Sequence, residues 1–261
     1  MIEADPILLT ETEAGVATVT LNRPSARNAL SISLLSELER ALARIATDPA
    51  VKVVVLAANG PAFCAGHDVK EMRALEGRDA VAALFALCGR VMTALVRLPQ
   101  PVIAKVQGMA SAAGCQLVAS CDLAYASTAA RFATPGVSIG LFCSTPMVAL
   151  SRVVARRHAL EMALSGQPID AATAEAWGLV NRAVAPERLD AEVAAMAALI
   201  TAKSPYTVKL GKAAFYRQAE MGWDDALAHA GEAMVTNMLA RDAAEGIDAF
   251  LEKRPPQWQG H

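Results

Sequence analysis

The sequence predicts an α/β protein with a helical region at its C-terminal end. Short, continuously apolar segments alternate with helical patterns in the first half, and helical periodicity dominates from about Ser144 to Glu252. A strand, a crossover helix and another buried strand imply a layered sheet with right-handed connections. The chain has 261 residues, of which 54% are hydrophobic, so it can bury a large core and is neither disordered nor fibrous.

The predicted elements follow one another in a regular order. Segments 7–12 and 16–21 are β-prone and flank the turn Ala14-Gly15, which predicts a hairpin. Ser31 or Ser33 can cap a helix that runs to about Thr47 and carries its leucines on one face. Two buried strands are predicted at residues 51–57 and 101–107, with one helix between them at residues 79–97. Two brief strands are predicted to follow, at residues 122–126 and 131–133.

The chain divides into two predicted regions, a core of residues 1–199 and a helical subdomain of residues 200–261. The subdomain is expected to pack on its own core or on a neighbouring subunit. Residues 132–151 carry no charge and are roughly as long as a membrane-spanning helix. Because this run contains two prolines, two glycines and several hydroxyl side chains, it predicts a packed interior loop and no membrane contact.

Charge and composition exclude several classes of function. Lysine and arginine total 24 against 26 aspartate and glutamate residues, and aromatic residues are 5%, which argues against nucleic-acid binding. The five cysteines form no Cys-x-x-Cys pair, so neither a disulfide framework nor a metal site is predicted. Unpaired thiols and an acidic start without an export signal predict a cytoplasmic protein.

Two segments carry the strongest signal for chemistry. Residues 61–72 follow one buried strand and residues 107–117 follow the next, and both place small residues where a strand ends and a helix begins. Small side chains let a ligand approach the backbone, and the first N–H groups of a helix lack internal partners. Two such turns side by side can direct two amide donors at one oxygen, which is how enzymes stabilise an oxyanion.

These segments belong to a longer resemblance. The chain resembles the crotonase (enoyl-CoA hydratase/isomerase) superfamily, and the order and spacing of the matching segments agree. The matching segments are 21–24, 28–30, 61–72, 107–117, 121–124, 132–135, 166–180 and 250–254. Within the superfamily, residues 112–122 and 132–146, together with Gly66-His67-Asp68, resemble the enoyl-CoA hydratase domain-containing protein three type.

The resemblance implies a fold, an assembly and a ligand. The fold is the crotonase (ClpP/crotonase-like) fold, in which repeated ββα units wind into a superhelix. The C-terminal helices mediate a homotrimer or a dimer of trimers. The ligand is an acyl-CoA thioester, so coenzyme A is expected as part of the substrate and not as a permanently bound cofactor.

The resemblance also assigns roles by position. The backbone N–H groups of His67 and Ala113 form the oxyanion hole around the thioester carbonyl. The Ala65 backbone lies beside the adenine, and Lys70 lies near the phosphates of coenzyme A. The remaining implied contacts with coenzyme A come from the same loop and from the C-terminal tail, at Asp68, Val69, Phe250 and Lys253.

The acid–base positions of the family are occupied differently in this chain. Hydratases of the family use two glutamates, and this chain has Gln116 and Gly136 at those positions. A third acidic position, used by some isomerases, falls at Ser144. A neutral amide cannot accept a proton at pH 7, and each positioned acid–base group typically contributes ~10²–10⁴ in rate. We therefore expect weak or no hydration of short 2-enoyl thioesters.

Three hypotheses for function remain open. The first is an enzyme that uses the oxyanion hole, with His67 or a bound water transferring protons. The second is a non-catalytic binder or regulator of CoA thioesters. The third is a thioesterase-like hydrolase with Cys115 or Cys143 as its nucleophile. Asp122 is expected to brace loops and not to take part in chemistry.

Overall fold

The computed structural model describes residues 5–261. It contains ten strands that form two sheets. The strands, in chain order, are β1 (Leu8–Glu13), β2 (Val16–Leu21), β3 (Val53–Ala58), β4 (Ala62–Cys64), β5 (Val102–Val106), β6 (Met109–Ser111), β7 (Leu123–Ser127), β8 (Arg131–Ala133), β9 (Ile169–Asp170) and β10 (Arg182–Val184).

Eleven α-helices accompany these strands among the described residues. They are α1 (Ile32–Thr47), α2 (Val69–Ala74), α3 (Gly77–Arg97), α4 (Ala113–Ala119), α5 (Ser144–Val153), α6 (Arg156–Ser165), α7 (Ala171–Ala176), α8 (Leu189–Thr201), α9 (Pro205–Gln218), α10 (Trp223–Met238) and α11 (Arg241–Glu252).

The chain alternates between the two sheets. The large sheet has the order β1-β2-β3-β5-β7-β10, and the small sheet has the order β4-β6-β8-β9. After the antiparallel β1–β2 hairpin, each of three successive units places one strand in the large sheet and the next in the small sheet, and then continues into helix. The ββα repeat predicted from the resemblance is therefore confirmed, as is the α/β class.

The large sheet is covered on both faces, as the apolar strands predict. Val54 and Leu56 face the main core, which contains the buried sides of α1 and α3. The alternate residues Val53 and Val55 face a smaller cluster under α8. Burial on both faces explains why β3 has no polar residue in its sequence. Ser31 caps α1 as predicted, because its hydroxyl oxygen accepts a hydrogen bond of 3.1 Å from Leu34 N–H.

The uncharged run 132–151 is not one interior loop. It comprises the end of β8, a 3₁₀ turn at Pro135–Ile139 and most of α5. Ile139, Leu141 and Phe142 are exposed, so the expectation of a packed interior loop holds only for the first part of the run. Among the described residues, α3 is the one helix whose length and apolar composition match a membrane span. Six of its side chains are buried, and all six belong to the main core.

The C-terminal helices are attached to the sheet by a partly buried ion pair. Lys212 on α9 lies 2.6 Å from Asp122, and its ammonium group also donates to the carbonyl oxygens of Leu95 and Gln100. Tyr216 donates to the same carboxylate at 2.9 Å. Asp122 therefore braces the start of β7 against α9, as expected. The boundary proposed at residue 200 stays a prediction.

Candidate active site

The loops that follow three parallel strands meet at one edge of the small sheet. Strands β4, β6 and β8 are parallel neighbours, so the residues that follow them emerge side by side. These residues are 65–67, 112–113 and 134–136. Ser111 pairs with Ala133 in the sheet, and Ala112 N–H donates to Ala133 C=O at 2.9 Å. The two segments singled out in the sequence are therefore adjacent in space.

Glycine allows the first two loops to touch. Gly66 has φ +90°, and a Cβ atom there would lie 2.9 Å from Ser111 O and 3.3 Å from Ala113 N. A Cβ atom at Gly114 would lie 2.2 Å from Cys64 O, which is closer than any real contact allows. Since both approaches are to backbone atoms, neither loop can yield by moving a side chain. The absence of side chains at these positions brings the backbone around His67 against the start of α4.

Two backbone donors are left unpaired at this contact. Within residues 5–261, neither His67 N–H nor Ala113 N–H donates to a protein acceptor. On either side of His67, Gly66 C=O accepts from Leu30 N–H at 2.8 Å, and Asp68 N–H donates to Leu30 C=O. This two-sided attachment to Leu30 holds the His67 amide in place.

The residue before the second donor has a strained backbone. Ala112 adopts φ +49° and ψ −116°, a conformation that residues other than glycine rarely adopt. Such strain persists only where neighbouring structure enforces it, and here the bond to Ala133 does so. The strained turn starts α4 at Ala113, whose N–H lacks an intrahelical partner. An anionic or carbonyl oxygen is the group to which such unpaired backbone N–H groups donate.

The His67 side chain is packed away from polar partners. Its ring meets Phe85 edge-to-face with centroids 5.3 Å apart, and its Nε2 is buried without a hydrogen bond. Burial lowers the pKa of His67 below its usual value, so the imidazole is neutral at pH 7. Its neighbour Asp68 does not pair with it. The Asp68 carboxylate instead caps α2 and lies 3.4 Å from Arg23.

The three positions to which the resemblance assigns acid–base chemistry carry no carboxylate. Gln116 is only 5% exposed, and its Oε1 has no hydrogen-bond partner. At Gly136, a Cβ atom would lie 2.8 Å from Leu141 O and 2.9 Å from Cys143 Sγ. The following loop thus fills the space into which a side chain at residue 136 would project. Ser144 is exposed at the first turn of α5, and its hydroxyl contacts only Phe142 O among the described residues.

Two features of the site were missed in the sequence. Thr134 is fully buried and its Oγ1 has no partner, so a further unsatisfied polar group lies directly after β8. Arg27 has φ +51° and its carbonyl accepts from Ala65 N–H at 3.0 Å, which positions the loop before His67. A hydroxyl residue directly after a strand of the predicted sheet was the available signal for Thr134. Arg27 gave no signal, because its contact joins distant parts of the chain.

The predicted coenzyme A contacts fall in two places. Ala65 is partly exposed, and Val69 and Lys70 are exposed at the start of α2, so this side of the loop is open to a ligand. Phe250 is 82% exposed near the end of α11, and Lys253 follows the helix with φ +56°. Among residues 5–261, no group of three or more His, Cys, Asp or Glu side chains is arranged to hold a metal ion.

Both thiols considered as nucleophiles are buried. Burial raises the pKa of Cys115 to about 12, and the nearby Cys143 adds to the effect. Burial also raises the pKa of Cys143, although a hydrogen bond with the Gly136 backbone opposes the shift. The nucleophile of a thioesterase is the thiolate, which these environments disfavour at neutral pH. This observation weighs against the hydrolase hypothesis most strongly for Cys115, whose side chain has no exposed surface.

Comparisons with known proteins agree with this geometry. A family model described as enoyl-CoA hydratase/isomerase matches residues 11–261. The human enoyl-CoA hydratase domain-containing protein 3, mitochondrial, is 46% identical over 244 residues, which cover 94% of this chain and 80% of that protein. The Xenopus laevis protein of the same name is 44% identical over 98% of this chain and 87% of its own length.

Solved structures agree as well. The crystal structure of an enoyl-CoA hydratase from Mycobacterium smegmatis is 55% identical, with a TM-score of 0.95 over 97% of this chain and 99% of that one. Human enoyl coenzyme A hydratase domain-containing protein 3 is 44% identical, also with a TM-score of 0.95, over 97% and 100% of the two chains. The chain belongs to the enoyl-CoA hydratase/isomerase family of the crotonase superfamily.

The same comparisons correct one prediction. Five vertebrate relatives are named as mitochondrial proteins, so the predicted cytoplasmic location is wrong. Unpaired thiols indicate a reducing environment, which is not unique to one compartment. Composition therefore had no means of distinguishing the two locations.

A substitution at the contact between the loops tests its importance. We expect Gly114→Ala to lower the free energy of unfolding by about 1–3 kcal/mol, because its Cβ would overlap Cys64 O. Gly89→Ala is the matched control, since a Cβ there meets nothing within 4 Å and should leave stability unchanged or raise it slightly. Urea unfolding followed by circular dichroism measures both. Equal stability of the two variants would show that the contact is not tight.

Proposed function

We propose that this protein binds an acyl-CoA thioester and holds the thioester oxygen between the N–H groups of His67 and Ala113. The observation that carries this proposal is the pair of unpartnered amides on two touching loops, one of them preceded by a strained residue. Donors held in place in this way stabilise a developing oxyanion or enolate without reorganising. Family membership supports the choice of an acyl-CoA as the ligand.

The coenzyme A moiety is assigned to the open side of the same loop. Ala65 and Val69 flank His67 and Asp68, and Lys70 offers an exposed ammonium group for a phosphate. Asp68 supports this segment structurally, because its carboxylate caps α2. Phe250 and Lys253 are proposed to reach the ligand of a neighbouring subunit. Coenzyme A acts here as part of the substrate.

The reaction is expected to differ from ordinary hydration. Adding water to a 2-enoyl thioester requires one group to activate the water and another to handle the proton at the α carbon. Gln116 supplies a neutral amide, and the space beside Gly136 is already filled. Missing carboxylates also favour the second candidate, a protein that binds CoA thioesters without turning them over. The two candidates share the binding site and differ only in whether a proton is transferred.

The role of the thioester oxygen in binding can be tested with a ligand that lacks this oxygen. Butyryl-CoA and its thioether analogue, S-butyl-CoA, differ in the carbonyl oxygen that the two amides would hold. Two hydrogen bonds of about 0.5–1.5 kcal/mol each predict that the thioether binds at least about fivefold more weakly. Isothermal titration calorimetry on the intact protein measures both affinities. Equal affinities would contradict the oxyanion hole, and a lack of binding by either ligand would contradict the proposed function.

Hydration of crotonyl-CoA tests the missing acid–base pair. We expect a turnover number below the range of typical enzymes, ~1–10³ s⁻¹. The loss of enoyl-thioester absorbance over time measures it. Gln116→Glu should not restore it, because one carboxylate lacks its partner. Gln167→Glu, at an exposed position, is the control for the change in charge. Turnover in the typical range by the unmodified protein would contradict the expectation.

We also propose that the chain assembles into a homotrimer or a dimer of trimers through α8–α11. These helices and the residue that follows α10 expose eleven large apolar side chains, and an extended apolar surface is typical of a protein–protein interface. The exposed side chains are Leu199, Phe215, Trp223, Leu227, Met234, Val235, Met238, Leu239, Ile247, Phe250 and Leu251. A second copy of the chain presents the same surface and is the proposed occupant.

Light scattering coupled to size-exclusion chromatography tests this assembly. The mass of three or six chains is expected for the unmodified protein. Leu239→Arg should lower that mass, since it places a charge on the apolar surface at a side chain that is 82% exposed. Thr10→Arg, on the exposed part of β1, is the control and should keep the assembly. A monomeric unmodified protein at micromolar concentration would contradict the proposal.

A further inference from the structure

Cys143 occupies the space that the missing side chain at residue 136 leaves. Its Sγ lies 2.9 Å from the position of a Cβ atom on Gly136, and the residue is 8% exposed. The loop that carries it is fixed by Leu141 N–H, which donates to Gly136 C=O at 2.9 Å. It is also fixed by α5, which begins with Cys143 as its N-cap. A thiol is therefore held where the family places its second glutamate.

A second observation comes from two buried polar side chains, one on α4 and one directly after β8. Gln116 and Thr134 are both more than nine-tenths buried, and each has a side-chain oxygen without a partner. Gln116 follows Ala113 by three residues on α4, so the two lie on one face, and helical side chains lean toward the helix N-terminus. The amide thus leans toward the unpaired Ala113 N–H. Buried polar groups without partners require an explanation, and a polar ligand supplies one.

The ionisable side chains of the loop around His67, and Cys115 on α4, are engaged or covered. His67 is neutral and its Nε2 is buried against apolar surroundings. The Asp68 carboxylate caps α2 and pairs with Arg23, and Glu71 accepts a hydrogen bond of 2.8 Å from Ile32 N–H. Cys115 has no exposed surface at all. Of these titratable groups within residues 5–261, Cys143 is the one that remains beside the acid–base positions.

We infer that Cys143 transfers a proton at the α carbon of the bound thioester. This inference rests on the acyl-CoA binding proposed above. In its thiolate form, the sulfur takes the α hydrogen: the C–H bond breaks, an S–H bond forms, and the electron pair moves to the thioester oxygen. The amides of His67 and Ala113 hold the resulting enolate oxygen. The thiol then returns a proton to the carbon and the thioester is regenerated, so no oxidant or co-reactant is consumed.

The local environment suits a group that cycles between thiol and thiolate. A hydrogen bond with the Gly136 backbone favours the thiolate form of Cys143 and lowers its pKa. Burial acts in the opposite direction and keeps the thiol protonated for most of the time. A mostly protonated thiol is a ready proton donor to an enolate, and the minor thiolate form is a strong base. The inferred activity is hydrogen exchange at the α carbon, which needs neither of the missing glutamates.

The experiment follows deuterium incorporation into butyryl-CoA. The intact protein is incubated with butyryl-CoA in D₂O at mildly alkaline pD, and the mass of the recovered thioester is measured over time. The unmodified protein is expected to add one and then two deuterium atoms faster than a protein-free control. Cys143→Ala should lower the exchange rate at least about 10²-fold, the usual contribution of a positioned acid–base group. Cys143→Ser should lower it as well while preserving shape.

The control is Cys115→Ala, which removes the neighbouring thiol and should leave exchange largely unchanged. Calorimetric titration with butyryl-CoA accompanies every variant. Binding without exchange in the unmodified protein would overturn the role of Cys143 alone and leave the proposed function standing. An unchanged exchange rate in Cys143→Ala would also overturn the role of Cys143. An equal loss of exchange in Cys143→Ala and Cys115→Ala would do the same. Failure of the unmodified protein to bind butyryl-CoA would overturn both this inference and the proposed function.

Discussion

The contact between two backbone turns is the constraint on which the rest of the site depends. The turn after β4 lies against the turn after β6 so closely that neither Gly66 nor Gly114 has room for a Cβ atom. This closeness brings the amides of His67 and Ala113 to neighbouring positions and leaves them without protein acceptors. The large sheet, the small sheet and the helices between them serve to hold these two turns in register. A rigid scaffold that positions loop donors is how many folds build a binding site.

The second half of the site is defined by what fills it. The loop 141–143 packs against Gly136 and fills the space that a side chain at residue 136 would occupy. The side chains of Cys143, Gln116 and Thr134 are polar and buried, and the oxygens of Gln116 and Thr134 lack hydrogen-bond partners. In the proposal made above, the two amides hold a thioester oxygen and the minor thiolate form of Cys143 is the base. This proposed arrangement differs from the pair of glutamates that the resemblance implies for hydratases of the family.

Much of the architecture was accessible from local pattern. The hairpin, the capped helix α1, the two-sided strand β3 and the helical tail all appeared where periodicity and capping residues predicted them. The short strands β4 and β6 were not separated from the turns around them, because three residues carry too little pattern to distinguish a strand from a loop. The exposure of Ile139 and Phe142 was also missed, since an uncharged run gives no sign of which residues face outward.

The residues of the sequence therefore determined the α/β class, the family and the two glycine-rich turns that carry the site. They also determined the absence of carboxylates at three positions, because this is a matter of residue identity. Tertiary structure alone decided that Cys143 fills the space beside Gly136, that Asp68 is engaged with Arg23, and that His67 packs on Phe85. The physical reason is that these contacts join residues distant in the chain, and their distances depend on how the sheets and helices pack.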